Sequence, residues 1–344
     1  MKRAELVFER PERVFAHEPP EVRGHARDDV RLLVTRPEGH HHARFGDLSR
    51  FLGEADLLVV NESAAIPASL PAEGRLGSIL LNLCTRFRSD LWIAEPRWEA
   101  GKPGPLPIEP DEELRIGSAT VRLLAPYPGI PRLWFALADR PFESMIAERG
   151  GPIHYGYTNA WPMDTYQTLF SRVPGSAEMP SAARPITPRI REQLERAGVL
   201  IAPVLLHTGV SSLEIDSETV EAQAMYPEPF SVSPETADAV NRAHANGGRV
   251  IAVGTTVVRA LESAWTPEGL RARGGFTRLF VNPDRGIHAV DGLLTGFHDP
   301  VTSHLALLTA FLGIERVRDA YAEAIRAGYL WHEFGDSHLV LPQG

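Results

Sequence analysis

Two helix–strand units follow one another in the second half of the chain, and this alternation constrains the fold more than any other feature. PRIREQLERAG (188–198) has the spacing of an amphipathic helix that ends at Gly198, and VLIAPVLLH (199–207) predicts a buried strand. SPETADAVNRAHANGG (233–248) and RVIAVG (249–254) repeat the arrangement. Because each helix carries the chain back to the same end of the sheet, the repetition predicts parallel strands.

A block of short strands interrupts this pattern between about Ile66 and Asp139. Its apolar runs are separated by turns rich in glycine and proline, a spacing typical of a small sandwich or barrel. The α/β pattern flanks the block on both sides. The simplest fold class is therefore α/β: a discontinuous three-layer domain made of residues 1–64 and 151–344, with a small β-barrel, residues 65–150, inserted into it.

Length and composition exclude several classes of protein. The 344 residues favour one or two domains, and 43% hydrophobic and 23% charged residues are ordinary for a globular protein. A net charge of -9 argues against binding nucleic acid through overall basicity, although a local basic patch remains open. The single cysteine, Cys84, excludes an intrachain disulfide and predicts a buried structural thiol. The N-terminal MKRAELVFERPER has no apolar core of a signal sequence, so we expect a cytoplasmic protein.

The end of the second strand is a candidate ligand site. Ligands of parallel sheets collect at the carboxyl ends of strands, where helices present unpaired N–H groups. Gly254 allows a ligand to approach the backbone, and Thr255 and Thr256 can cap the helix and offer a hydroxyl. Arg259 and Glu262, three residues apart, are expected to pair. The alternative is a capped helix with a surface ion pair.

The residues around the start of this helix belong to a longer series of segments that match the sequence motifs of a known family. The segment RVIAVGTTVVRALES resembles a signature of the S-adenosylmethionine:tRNA ribosyltransferase-isomerase family of queuosine biosynthesis. Further matches follow in the family's order over nearly the whole chain: VFAHEPPEVR (14–23), DLLVVNESAAIPASL (56–70), YQTLFS (166–171), LLHTGVSSL (205–213), VDGLLTGFHDP (290–300), TSHLALLTAF (302–311) and FGD (334–336).

This resemblance implies a fold and a reaction. The family has an α/β domain interrupted by a small barrel. Its members transfer the ribosyl part of S-adenosylmethionine, used as a co-substrate without a metal, to the aminomethyl group of a 7-deazaguanine base in tRNA, releasing adenine and methionine. The sulfonium acidifies the neighbouring 5′ C–H, so the site needs a base, donors for the methionine carboxylate and groups that stabilise the leaving adenine.

The resemblance also implies candidate site residues. Arg259, with Thr255 and Thr256, is expected to contact an anion or the ribose, and Glu262 to orient Arg259. The catalytic candidates lie in matched strand ends and loops, where each could instead be structural: His207, Glu228, Asp291 and His298. Asp336, in the matched FGD, is a candidate for substrate binding with the same structural alternative.

The chain departs from the family at several positions. The family's Pro-Thr-Ala-Gly-Leu-His-Phe run is PSAARPI (180–186), so Pro185 replaces a histidine and Ala183 a glycine, while Ser181 remains a candidate for substrate binding. The run Gly-x-Gly-Thr-Phe is GVSSL (209–213), which alters how closely a ligand can approach the backbone.

The departures keep more than one function open. Ala64 and Ser69 replace arginines, which weakens the expectation of tRNA as a partner. The chain is either an S-adenosylmethionine-dependent ribosyl transferase, acting on tRNA or a small acceptor, or an inert relative that binds a nucleotide-like ligand. A metal site at His40, His41 and His42 is less favoured than a solvated loop. We expect a monomer or a homodimer.

Overall fold

The chain begins with short 3-10 turns and the first strands of the central sheet. A computed structural model describes residues 1–98, 106–210 and 214–342. Four strands precede the barrel: β1 (Arg31–Arg36), β2 (Gly39–Arg44), β3 (Leu57–Asn61) and β4 (Ser63–Ala65). The three histidines expected in a loop lie on β2 instead, because residues 39–44 pair with β1 along their whole length. His40 contacts Asp319 and His42 contacts Glu323, so the ring nitrogens of these two histidines bind different partners.

Six strands then close into the barrel, in the order β10-β7-β6-β5-β8-β9. They are β5 (Ser69–Gly74), β6 (Gly77–Arg86), β7 (Leu91–Trp98), β8 (Glu112–Ile116), β9 (Ala119–Tyr127) and β10 (Ile130–Ala138). Buried and exposed residues alternate along β9, as the pleat of a barrel strand requires. Strand β5 lies at the start of the predicted block although its Pro71 and Gly74 are poor strand formers. Helix α1 (Phe142–Arg149) packs Phe142 and Met145 against the barrel core.

The remaining elements complete the α/β part. They are β11 (Val173–Ser176), α2 (Pro188–Arg196), β12 (Leu200–Leu206), β13 (Glu228–Val232), α3 (Pro234–Ala245), β14 (Val250–Val253), α4 (Thr255–Ala264), β15 (Trp265–Thr266), β16 (Gly269–Leu270), β17 (Arg273–Thr277), β18 (Gly292–Thr295), α5 (Ser303–Arg326) and β19 (Ser337–Val340). The hydroxyls of Thr187, Ser233 and Thr302 cap α2, α3 and α5. Gly313, at φ 72°, divides α5 into two helical segments.

The central sheet has nine strands in the order β17-β13-β12-β3-β14-β18-β19-β1-β2. Strands β12, β3, β14 and β18 are parallel, with Leu58 of β3 opposite both Ile201 and Ile251, so the predicted parallel arrangement is confirmed for the core. Helices α3, α4 and α5 cover one face, and α2 with the turn at 45–50 covers the other, which gives three layers. No helix in the described ranges is long and apolar enough to cross a membrane.

Candidate active site

A cleft lies at the carboxyl edge of the parallel strands, where the chain leaves β12, β14 and β18. It holds about 1060 Å³ of empty space, including its open mouth. Residues just after the barrel and its helix α1, from Pro152 to Tyr157, form part of the wall. The polar side chains among its lining residues are Tyr155, Tyr157, Tyr166, Glu178, Ser181, Thr208, Thr255, Thr256, Thr295, His298, Asp299, His304, His332 and Glu333. The cleft combines apolar walls with converging polar side chains, which is the arrangement of a small-molecule site.

The start of α4 forms one side of this cleft. Gly254 has φ 95°, a conformation that favours glycine, and it lines the cleft with Thr255 and Thr256. The first N–H groups of a helix have no acceptor inside the helix and carry a partial positive charge. The sequence prediction thus located these three residues at the cleft, and their ligand contacts remain a prediction.

A smaller recess continues from the cleft beneath α4. Thr208, Thr255, Thr256 and His304 line both spaces. Arg259 lies in the recess, where its guanidinium donates to the carboxylate of Glu228 and, through Nε, to the carbonyl oxygen of Leu279 at 2.9 Å. Within the described residues, Nη2 of Arg259 and the hydroxyl of Thr208 are buried without a hydrogen-bond partner.

Glu228 is held by several donors in addition to Arg259. Its Oε1 accepts hydrogen bonds from the Gly209 N–H at 2.9 Å and from the Tyr226 hydroxyl at 3.3 Å. The single proton of the Tyr226 hydroxyl is shared with the carbonyl oxygen of Val210, the nearer acceptor at 2.7 Å. The side chain is 97% buried and committed to these partners, so Glu228 positions Arg259 and the loop after β12.

The expected pair between Arg259 and Glu262 does not form. The carboxylate of Glu262 instead binds Arg285 at 2.6 Å and accepts the N–H groups of His288 and Ala289 at 2.8 and 2.7 Å. The prediction that Glu262 orients Arg259 is therefore wrong. Fixed backbone donors satisfy a buried carboxylate more completely than a side chain one turn away on its own helix.

Three further candidates lie outside the cleft lining. Asp291 precedes β18, so it is at the opposite edge of the sheet, where it binds His244 and the Val250 N–H at 3.0 and 2.8 Å. Asp336 accepts the N–H groups of Arg31 and Leu330 at 2.7 and 2.8 Å. Both carboxylates therefore hold backbone N–H groups in place. The sequence could not show this, because residue spacing does not reveal at which end of a strand a loop lies.

His207 is the third of these candidates. Its Nδ1 is 2.8 Å from the Ser63 hydroxyl, and burial lowers the pKa of its ring. The ring lies so close to Gly175 that any side chain there would collide with it. His207 therefore fills the contact between β12 and the short ladder of β4 and β11, while the next residue, Thr208, faces the cleft.

His298 and Ser181 do line the cleft. Nε2 of His298 is 2.9 Å from the Thr295 hydroxyl, and the His304 ring lies 4.9 Å away. Burial, followed by the charge of neighbouring histidines, lowers the pKa of His298 well below its ordinary value, and burial lowers that of His304 to about 4. Both imidazoles are therefore neutral at pH 7, when each can donate one hydrogen bond and accept another.

Two tyrosine–glutamate pairs form a wall that the sequence analysis missed. Tyr155 donates to Glu178, and Tyr157 donates to Glu333 at 2.7 Å. The two tyrosine rings stack at 6.1 Å, and Tyr157 stacks on His332 at 4.1 Å. Burial raises the pKa of Glu333 above its ordinary value. No periodic pattern marks these residues, although Glu333 directly precedes the matched FGD segment.

His332 adopts an unusual backbone conformation beside this wall. Its φ of 73° lies in the left-handed region, which residues other than glycine rarely adopt. Burial lowers the pKa of its ring to about 3, and Nε2 is 3.5 Å from the Asp299 carboxylate. Such strain is found where the surrounding structure fixes a residue for function.

The structure also locates the departures from the family pattern. Ala183 and Pro185 are buried outside the cleft lining, whereas Ser181 and Ala182 line it. Ser69 is 7% exposed and exchanges backbone hydrogen bonds with Gly151. Residues 211–213 of the GVSSL run lie outside the described residues. Among the described residues, no group of three or more His, Cys, Asp or Glu side chains is arranged to hold a metal.

The fold and cleft define an α/β protein with an inserted barrel and a ligand site at a sheet edge. The model of the family described as queuosine biosynthesis protein matches residues 3–340. The chain belongs to this family.

Named relatives share the full length of the chain. A protein of Moorella thermoacetica named S-adenosylmethionine:tRNA ribosyltransferase-isomerase is 36% identical, over 99% of this chain and all of the relative. A protein of the same name from Thermus thermophilus is 38% identical over 92% and 93% of the two chains. The crystal structure of the S-adenosylmethionine tRNA ribosyltransferase of Thermotoga maritima is similar with a TM-score of 0.56 and 28% identity, covering 98% of this chain and all of that one.

Proposed function

We propose that this chain is an S-adenosylmethionine:tRNA ribosyltransferase-isomerase. It transfers and isomerises the ribosyl part of S-adenosylmethionine onto the 7-aminomethyl-7-deazaguanine base of tRNA, and it releases adenine and methionine in the cytoplasm. The observation that carries this proposal is the 36% identity, over 99% of this chain, to the Moorella thermoacetica relative of that name. The alternatives of a small acceptor or an inert nucleotide-binding protein have no comparable support.

The charges of the cleft suit a sulfonium amino acid. Glu178 and Glu333 place carboxylates on the lining, and these attract the positive sulfonium, whereas the lining carboxylate of Asp299 is already paired with Arg10. The methionine carboxylate binds at the start of α4, where Thr255 and Thr256 present N–H groups, with Arg259 below them. Opposite charges at two sides of one cleft orient the substrate in a single direction.

Glu333 is the general base in this proposal. Its burial raises the pKa of the carboxylate toward the working pH, which strengthens the group as a base, and Tyr157 holds one oxygen in place. Glu333 takes the 5′ proton next to the sulfonium, and the electron pair left on carbon drives a rearrangement that breaks the glycosidic bond and expels adenine. The amine of the base forms the new C–N bond to the ribosyl group, methionine leaves with the electrons of the C5′–S bond, and the proton held by Glu333 returns to adenine. Neutral His298 and the Ser181 hydroxyl supply hydrogen bonds to the leaving adenine or the ribose.

The test combines the purified protein with S-adenosylmethionine and tRNA that carries the aminomethyl base. We expect adenine and methionine to appear in equal amounts with the ribosylated nucleoside, measured by mass spectrometry after digestion of the tRNA. The matched control is tRNA with guanine at the same position. Adenine release that does not depend on tRNA would favour the hypothesis of a small acceptor. If no adenine appears under any condition, the hypothesis of a catalytically inert, nucleotide-binding protein is favoured instead.

A further inference from the structure

An exposed edge of the central sheet carries both positive charge and aromatic rings. Strand β17 ends the sheet next to β13, and residues 271–276 are all exposed to solvent. Phe276 is 52% exposed, unusual for a large apolar side chain on a strand. Gly275 has open space around it, so the backbone of this edge is accessible. Side chains alternate along a strand, so Arg273 lies on the α4 side of β17, where it donates to Ser263, and Phe276 lies on the barrel side, against Phe87; both border the open edge of the strand. We call Phe87, Arg271, Arg273, Phe276 and Arg278 the arginine–aromatic face.

The three arginines of this face have no carboxylate partner among the described residues. Arg273 donates only to the carbonyl oxygen of Ser263, at 3.1 Å, and the structure gives Arg271 and Arg278 no ion pair. Many other surface arginines are neutralised, for example Arg191 by Glu195 at 2.7 Å. A chain with a net charge of -9 therefore keeps three uncompensated cations on one short segment.

The aromatic rings of the face continue onto the barrel. The Phe276 ring lies 5.7 Å from that of Phe87, which lies in the turn between β6 and β7. Phe87 stacks at 6.3 Å on Phe135 of β10. Phe87 is itself 37% exposed, so two neighbouring rings from different parts of the fold face solvent together. Exposed aromatic pairs beside arginines are the feature by which proteins stack unpaired bases.

The face is close to the cleft along helix α4. The hydroxyl of Thr277, the last residue of β17, is 2.6 Å from that of Ser263 on α4. Eight residues of helix separate Ser263 from Thr255 at the cleft, a distance of about 12 Å at 1.5 Å per residue. Because stacked nucleotides advance by roughly 3.4 Å, a strand on the face is a few nucleotides from the cleft.

We propose that the arginine–aromatic face binds the unpaired nucleotides beside the modified base of the tRNA. The arginines contact phosphates, and Phe276 and Phe87 stack on base faces. The inference rests on the proposed function for the identity of the RNA. It also accounts for RNA binding by an acidic chain in which Ala64 and Ser69 replace arginines: the cations are on β17 and its flanks.

Binding of fluorescent tRNA to the full chain tests this inference without catalysis. The triple variant Arg271→Gln, Arg273→Gln, Arg278→Gln should bind at least about tenfold more weakly, and the slope of log affinity against log salt should fall by about 2, since each phosphate contact to a single strand contributes roughly 0.7. Phe276→Ala should weaken binding by about tenfold, and Phe276→Trp, which keeps a stacking surface, should restore it.

The matched control removes the same charge from another surface. Arg50→Gln, Arg191→Gln, Arg196→Gln changes three exposed, ion-paired arginines and should leave tRNA affinity within about twofold, since each is already neutralised. Equal weakening by both triple variants, or unchanged binding by the β17 variants, overturns the inference. A change of oligomeric state on mutation, without a change in tRNA affinity, assigns the face to a second copy instead. Failure of ribosyl transfer with intact tRNA binding refutes the proposed function alone.

Discussion

The two edges of the parallel sheet use the same kinds of side chain for different purposes. At the amino edge, Asp56 binds Arg249 at 2.6 Å and the Gly53 N–H at 2.7 Å, and Asp291 is similarly paired. At the carboxyl edge, polar atoms of Thr208 and Arg259 are buried with no partner in the described part of the chain. Buried polar groups are nearly always satisfied, so the unsatisfied edge is the one that awaits a ligand.

The comparison predicts its largest effect for Glu333→Gln at the carboxyl edge. The amide keeps the size of the side chain but cannot take a proton, so kcat should fall by about 10² to 10⁴. Single-turnover adenine release measures it, and calorimetry should show S-adenosylmethionine still bound. Asp291→Asn, at the amino edge, is the control and should retain a kcat near that of wild type. A Glu333→Gln enzyme with wild-type turnover would exclude Glu333 as the base.

Arg259→Ala should cost about 3 to 5 kcal/mol of unfolding free energy, because it leaves Glu228 buried without its cation. The double variant with Glu228→Gln should recover part of this loss in urea denaturation. S-adenosylmethionine should bind the double variant more weakly by about 1.5 to 3 kcal/mol if Arg259 holds its carboxylate.

The control for this prediction is the other end of α4. Arg285→Ala removes the partner of Glu262, whose carboxylate keeps two backbone donors, so the loss of stability should be smaller and ligand affinity unchanged. Equal losses of affinity in the Arg259 and Arg285 variants would show that the two ends of the helix do not differ in function.

The buried histidines near the cleft should make the fold sensitive to acid. Burial lowers the pKa of His304 to about 4 and that of His332 to about 3, so these rings are neutral when folded and protonate near pH 6.5 when unfolded. The contribution of these histidines to the free energy of unfolding is complete above pH 6.5. It is lost as the pH falls toward their pKa values in the folded protein, by about 1.4 kcal/mol per pH unit for each histidine. His304→Gln should flatten the decline of the unfolding free energy between pH 6.5 and 4, measured by denaturation at each pH. An unchanged slope would contradict a buried, neutral His304.

The smallest effect is expected at the amino edge. Asp291→Asn replaces a charged acceptor of the Val250 N–H with a neutral one, so unfolding should cost about 1 to 2 kcal/mol less. Adenine release should stay within about twofold of wild type. A large loss of activity from this change would remove the distinction between the two edges.

Local patterns predicted the elements well and the contacts poorly. The helix predicted within residues 233–248 is confirmed, with the Ser233 hydroxyl as its N-cap, because capping chemistry acts within four residues. The partner of Glu262 could not be predicted in this way, since Arg285 and the N–H groups of His288 and Ala289 approach from a loop after β17.

The sequence by itself determined the alternation of helices and strands, the inserted barrel and the family, because hydrophobic period, caps and ordered motifs are written along the chain. Only the tertiary structure decided that Tyr157 and Glu333 share a cleft wall, that Asp291 and Asp336 are backbone anchors, and that the arginines on β17 and its flanks have no carboxylate partner in the part of the chain that the structure describes. These depend on which segments meet in space, and a contact between distant segments, such as that of Tyr157 with Glu333, leaves no local period to detect.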